Sequence, residues 1–186
     1  MIKNASITYS LSDGSLHGPD GTILKNVKQI QDTRRIYANS VGLTDDQLEA
    51  INYRTEVYTP ETTEGSLQFA TSYVYPGTVN GEFFMTKGHF HEVSNRSEFY
   101  LCLSGEGLLV FMDRNRHWWA ERMQKNSLHY IPGHVAHRMI NTGSQILSVQ
   151  ACWNSDAGHD YGTIENQGFP VRFYDREGQL HIEEQD

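Results

Sequence analysis

The sequence predicts an all-β fold, an antiparallel sandwich or barrel, with a short mixed extension at its N-terminus. Three observations carry this. From residue 54 onward, short runs dense in Val, Ile, Tyr, Phe and Trp recur. Turn signals separate them, at Pro76-Gly77, Asn80-Gly81, Gly105, Asp113 to Asn115, Pro132-Gly133 and Thr142-Gly143. No helical pattern intervenes, so the strands connect through tight turns and pair antiparallel.

In chain order, residues 1–52 form the extension and residues 53–186 the barrel, within one domain. Ser6 to Ser10 and Leu16 to Leu24 read as short strands joined by an Asp13-Gly14 turn. Val27 to Ala38 reads as a short helix. Thr44-Asp45-Asp46-Gln47 is a capping box, in which the Thr hydroxyl caps the helix start and Gln47 reaches back. Leu43, Leu48 and Ile51 then give that helix one apolar face, and it ends near Ile51. The barrel strands are expected at Arg54 to Thr59, Leu67 to Tyr75, His89 to His91, Glu98 to Ser104, Gly107 to Met112, His117 to Met123, Leu128 to Ile131, His137 to Asn141 and Ile146 to Trp153.

The totals narrow the function. A chain of 186 residues with 38% hydrophobic and 20% charged residues is globular rather than disordered. A formal net charge of -8 argues against a nucleic-acid partner, whose phosphates it would repel. No apolar run approaches the roughly 18 residues that a membrane span needs, and Met1 to Ser6 lacks the apolar core of a signal peptide. Cys102 and Cys152 both sit in apolar strand-like runs and read as buried free thiols, which suits a reducing cytoplasm.

Chemistry concentrates at Gly88-His89-Phe90-His91, followed by Glu98 and later His137. Residues two apart on a strand share a face, so His89 and His91 point together. Glu98 and His137 can return to that face and complete an open site for a first-row metal. Neutral imidazoles with one ionised carboxylate leave a formal charge of +1 on a divalent ion and leave positions free for water or sugar oxygens. Tyr100, two residues past Glu98, shares its strand face. It reads either as a donor to a sugar hydroxyl or as packed core.

Two segments resemble the cupin motifs. Gly88-His89-Phe90-His91, Glu98 and Gly105 match the first; Pro132, His137 and Asn141 match the second. The loop Glu92 to Ser97 is longer than usual. Asn126 stands where a glycine usually opens the second motif, and asparagine tolerates positive φ better than most residues. Longer segments are more specific: Gly65 to Thr71, Tyr75-Pro76-Gly77, Glu82 to His91, Ala136-His137-Arg138 and Asp156 to Ile164. Together they resemble the cupin-type glucose-6-phosphate isomerases. The resemblance implies a double-stranded β-helix, or jelly-roll barrel. It also implies a homodimer and a metal-dependent aldose–ketose isomerase interconverting glucose 6-phosphate and fructose 6-phosphate.

The same resemblance assigns roles. One divalent ion per subunit would sit on His89, His91, Glu98 and His137, with Fe²⁺ placed first and Mn²⁺, Ni²⁺ or Zn²⁺ as alternatives. Glu98 would be the base that makes a cis-enediol, with a direct hydride shift as the rival chemistry. Ser72, Thr86 and Gly88 would contact the phosphate, and Lys87 beside them reads as an ammonium donor or a solvated surface lysine. Trp153 stands where the family has Tyr, and an indole N–H donates but does not accept. Tyr53 matches an active-site tyrosine of the family. His159 and Tyr161, in a glycine-flanked loop, suit the proton transfers of ring opening. Two other readings fit the same motifs: a different cupin enzyme, such as another sugar-phosphate isomerase or epimerase or a dioxygenase, and a non-catalytic cupin that binds a sugar phosphate.

Overall fold

The computed structural model describes residues 1–185. The chain opens with a two-strand ribbon, β1 (Thr8–Tyr9) and β2 (Leu16–His17). It continues through β3 (Ile23–Gln29), α1 (Ile30–Thr33), a 3-10 turn at Arg34–Ile36 and α2 (Asp45–Glu49). Then come β4 (Ile51–Tyr58), β5 (Leu67–Val74), β6 (Thr78–Val79), β7 (Glu82–Phe83), β8 (Glu98–Ser104) and β9 (Glu106–Met112). β10 (Trp118–Gln124), β11 (Leu128–Ile131), β12 (Ala136–Asn141) and β13 (Leu147–Asn154) complete the barrel strands. α3 (Tyr161–Gln167), β14 (Val171–Arg176) and β15 (Gln179–Glu184) close the chain.

All the strand pairs are antiparallel. One sheet runs β11-β8-β13-β5-β4-β3, a second β10-β9-β12 and a third β15-β14-β7-β6. A single core joins them. It takes Val74, Tyr100, Cys102 and Val149 from the first sheet, Leu109 to Met112 and Ile140 from the second, and Val79, Phe83, Val171 and Phe173 from the third. This is the cupin barrel that the motifs implied. Gly105 shows why the first motif needs its second glycine. Its φ is +76°, and a Cβ there would lie 2.5 Å from the carbonyl oxygen of Ile146.

The capping box forms as expected. Thr44 Oγ1 accepts from the Gln47 N–H at 3.3 Å, and Gln47 Oε1 accepts from the Thr44 N–H at 2.9 Å. The helix ends at Glu49, because Ile51 already belongs to β4. Asn126 adopts φ +72° at the turn between β10 and β11, so it takes the glycine's place.

Four expectations need correction. The helix over Val27 to Ala38 is largely absent: Val27 to Gln29 belong to β3, and only Ile30–Thr33 is α-helical. Ile23, Val27 and Ile30 have helical spacing, yet the open edge of β4 pairs with β3 from Ile23 to Gln29 and the sheet wins. The expected strand from Leu16 to Leu24 is two strands in different sheets. His89 and Phe90 make isolated bridges, to His137 and Asp160, rather than a full strand. Tyr161 opens α3 instead of lying in a loop, because the Asp160 carboxylate caps that helix by accepting from the Thr163 N–H at 3.1 Å.

β4 straddles residues 52 and 53, and β3 extends its sheet, so the extension and the barrel share one six-stranded wall. Both cysteines are unpaired; Cys102 is buried and Cys152 half-buried. No helix among the described residues is long and apolar enough to cross a membrane.

Candidate active site

The strand period builds the site. On the six-stranded wall, Glu98 lies opposite Trp153, and Trp153 opposite Gln68. One step along, Tyr100 lies opposite Ala151, and Ala151 opposite Ala70, which pairs with Val57. A further step places Ser72 opposite Thr55, and Thr55 opposite Asn26. Alternate residues of β3, β4, β5, β8 and β13 therefore face one side. Residues 86–89 and β12 face them across a cavity of about 460 Å³.

His89, His91, Glu98 and His137 meet at this cavity, each offering a ligand atom within 4.8 Å of the others. The backbone bridge between His89 and His137 sets two of them side by side. Glu98 Oε1 lies 3.2 Å from His91 Nε2 and 2.7 Å from His137 Nε2. The His91 Nδ1–H donates to the Arg96 carbonyl at 2.9 Å, which leaves Nε2 with its lone pair toward the cluster. The donor set suits a divalent metal. His137 is 1% exposed, yet neither ring nitrogen makes a hydrogen bond, because the close approach to Glu98 lacks hydrogen-bond geometry. A buried ring left so unsatisfied costs about 1–3 kcal/mol, and a cation at the common focus of the four residues would satisfy the one nitrogen that faces it.

The electrostatics keep His89 and Glu98 in their binding forms, whereas at His91 burial is outweighed by the Glu98 carboxylate, which favours the protonated ring. Burial, reinforced by His137, holds His89 well below the usual imidazole range, so it stays neutral. Burial works to raise the carboxyl of Glu98, but His137 and His91 outweigh it and hold the group well below the usual carboxylate range. Burial also lowers His159 and raises Tyr53 to about 12.

The other expected site residues converge on the same cavity. Tyr53, Ser72, Thr86, Lys87, Gly88, Tyr100, Trp153, His159 and Tyr161 line it with His89, Glu98 and His137, and His91 reaches the cluster without lining the cavity. His159 stacks on Tyr161, rings 5.5 Å apart and nearly parallel, and lies 4.4 Å from the His89 ring. Lys87 pairs with Glu165 of α3 and lies 4.6 Å above the Tyr161 ring. Thr86 Oγ1 already accepts from the Met139 N–H at 3.0 Å, so its hydroxyl has its hydrogen left to donate.

Sequence reading missed three groups. Asn26 and Lys28 also line the cavity. The helix expected from Val27 hid Lys28, and Asn26 fell between it and the strand expected to end at Leu24; the alternation on β3 was the signal. Arg96 was missed as well. It sits in the expanded loop and grips Asp156 through Nε at 2.9 Å and Nη2 at 2.7 Å, a fork that fixes the carbonyl holding His91.

Comparison with known proteins identifies the family. The family model described as glucose-6-phosphate isomerase matches residues 27–186. A glucose-6-phosphate isomerase of Thermococcus litoralis is 33% identical over 86% of this chain and 85% of its own. One of Pyrococcus horikoshii is 38% identical over 72% of this chain and 71% of its own. A solved oxalate oxidase structure aligns at a TM-score of 0.46 and 11% identity, covering 78% of this chain and 57% of that one. With a family model spanning most of its length, and relatives above 30% identity over most of both sequences, the chain belongs to the cupin-type glucose-6-phosphate isomerase family.

Proposed function

We propose that the protein interconverts glucose 6-phosphate and fructose 6-phosphate in glycolysis and gluconeogenesis through a cis-enediol, and that the reaction depends on one divalent metal per subunit. His89, His91, Glu98 and His137 would hold the ion, with Fe²⁺ the first choice and Mn²⁺, Ni²⁺ or Zn²⁺ alternatives that a nitrogen and oxygen donor set also accepts. When bound, such an ion supplies Lewis-acid stabilisation of negative charge on the sugar oxygens. The observation that carries the reading is one cavity lined at once by three of the four metal-cluster residues, by the hydroxyls of Ser72 and Thr86 and by the His159–Tyr161 stack.

The chain's own residues supply the proton chemistry. Glu98 is ionised, the form in which a base takes the proton from C2 and returns it to C1. A carboxylate held this low is a weak base, so positioning must contribute much of the rate. His159 and Tyr161 would move protons between the ring oxygen and O1 as the sugar opens. Ser72, Thr86, Gly88 and Lys87 would hold the phosphate, with Tyr53, Tyr100 and Trp153 bounding the sugar. A homodimer in the cytoplasm completes the reading.

The test is a coupled assay of fructose 6-phosphate conversion. The protein is stripped of metal, then reconstituted with each ion, with Glu98→Gln in parallel. Turnover restored by metal and reduced about 100-fold or more in Glu98→Gln supports the reading. Absence of turnover with every ion, although metal binds, overturns it. Deuterium from solvent appearing at the product C1 or C2 separates the enediol from a hydride shift.

A further inference from the structure

Lys87 lines two cavities, and the second, of about 660 Å³, is the larger. Arg34, Arg35, Arg138 and Arg172 join Lys87 on its wall. Only two carboxylates line it, and both are engaged: Asp32 accepts from the Gln29 N–H at 2.9 Å, and Glu165 pairs with Lys87. So dense a positive wall stands out in a chain of net charge -8.

Arg138 lies deepest among these basic residues. It is 6% exposed and forms no salt bridge among the described residues. Its Nη2 donates to the Lys87 carbonyl at 2.8 Å, Nη1 meets the Met85 sulfur at 3.0 Å, and the guanidinium lies 4.1 Å from the Phe169 ring centre. The nearby buried carboxylate, Glu82, is taken by Arg172 and by the Ala38 N–H. The Nε–H groups of Arg138 and Arg172 are both buried without an acceptor. The two guanidiniums, each with a buried, unmet Nε–H and together facing the single carboxylate of Glu82, carry excess positive charge, which an anionic ligand offsets.

We propose that this cavity binds a small phosphorylated metabolite, apart from the site where isomerisation would occur. A phosphate group carries up to two charges on several oxygens, which suits convergent guanidinium forks better than a single carboxylate does. The cavity has the volume of a small-molecule site. The exposed Arg34 and Arg35 attract the anion, and Arg138 and Arg172 receive it. The bound anion competes with Glu165 for Lys87. Because α3 carries both Glu165 and Tyr161, occupancy would be felt in the neighbouring cavity.

The experiment follows the arginine Nε–H resonances of the full, metal-loaded chain while inorganic phosphate is added. Three proteins are compared: wild type, Arg34→Gln with Arg35→Gln, and Ser72→Ala. The expected result is a saturable shift of the Arg138 and Arg172 signals. Half-saturation should need about tenfold more phosphate, or higher still, in the double arginine variant and be unchanged in Ser72→Ala. No shift, equal half-saturation in the double variant, or loss of the shift in Ser72→Ala would each overturn the proposal. The readout is binding at Arg138 and Arg172, so it stands whether or not the protein isomerises a sugar phosphate.

Discussion

Arg96 clamps Asp156 and, through its own backbone carbonyl, takes the Nδ1–H of His91 at 2.9 Å. The loop from Glu92 to Ser97 is thereby fastened to the turn after β13, and one ring of the metal cluster has its tautomer and orientation fixed. Arg96→Ala should weaken metal binding about tenfold while leaving the fold intact. Metal titration of the stripped protein, with circular dichroism alongside, checks this. Unchanged affinity would mean that His91 is oriented by the cluster alone.

Ser72 faces the active-site cavity from β5, opposite Thr55. If its hydroxyl binds the phosphate of both substrate and transition state, Ser72→Ala removes uniform binding. KM should rise about tenfold with kcat little changed. A fall in kcat at constant KM would instead place the hydroxyl near the reacting carbons.

Gly88 has φ +78°, and a Cβ there would lie 2.8 Å from the Phe169 ring and 3.1 Å from Arg138 Cβ. Both the backbone conformation and the packing exclude a side chain. Gly88→Ala should destabilise the protein by about 1–3 kcal/mol and lower Tm by about 3–10 °C. Calorimetry decides it; a wild-type Tm would show that the segment moves freely.

Glu56, 3% exposed, accepts from the Leu16 N–H and from Arg54 Nη1, both at 2.8 Å, and so ties β2 to β4. Burial acts to raise its carboxyl, but the Leu16 amide, Arg54 and Lys25 together hold it below the ordinary value of 4.5. A carboxyl lowered by folding stabilises the native state above its unfolded value and loses that contribution as pH falls through the folded one. Wild type should therefore lose stability below about pH 4.5, and Glu56→Gln should flatten that part of the curve. Chemical denaturation at a series of pH values measures the difference. Identical acid limbs would exclude Glu56 as a contributor.

The His-x-His pair of the metal cluster was legible in the sequence because its spacing is local, whereas Glu98 and His137 join it only through the fold. The period of two sets Tyr100 beside Glu98 on β8, and the bridged backbone at His89 and Phe90 sets His89 near His91. The capping box at Thr44 and the positive φ of Asn126 were legible for the same reason: both depend on the chemistry of a few neighbouring residues.

What tertiary structure alone decided lies where distant segments compete or meet. Val27 to Gln29 was expected to open a helix, and the edge of β4 made it part of a strand that runs from Ile23, which brought Asn26 and Lys28 to the cavity. Arg96 reaches Asp156 across 60 positions of sequence. Arg34, Arg138 and Arg172 share a cavity although scattered along the chain. Sequence by itself determined which side chains alternate, cap and turn, because those rules act within a few residues. It did not determine which partners meet across the barrel, because pairing is set by competition among all the surfaces that the folded chain can bury.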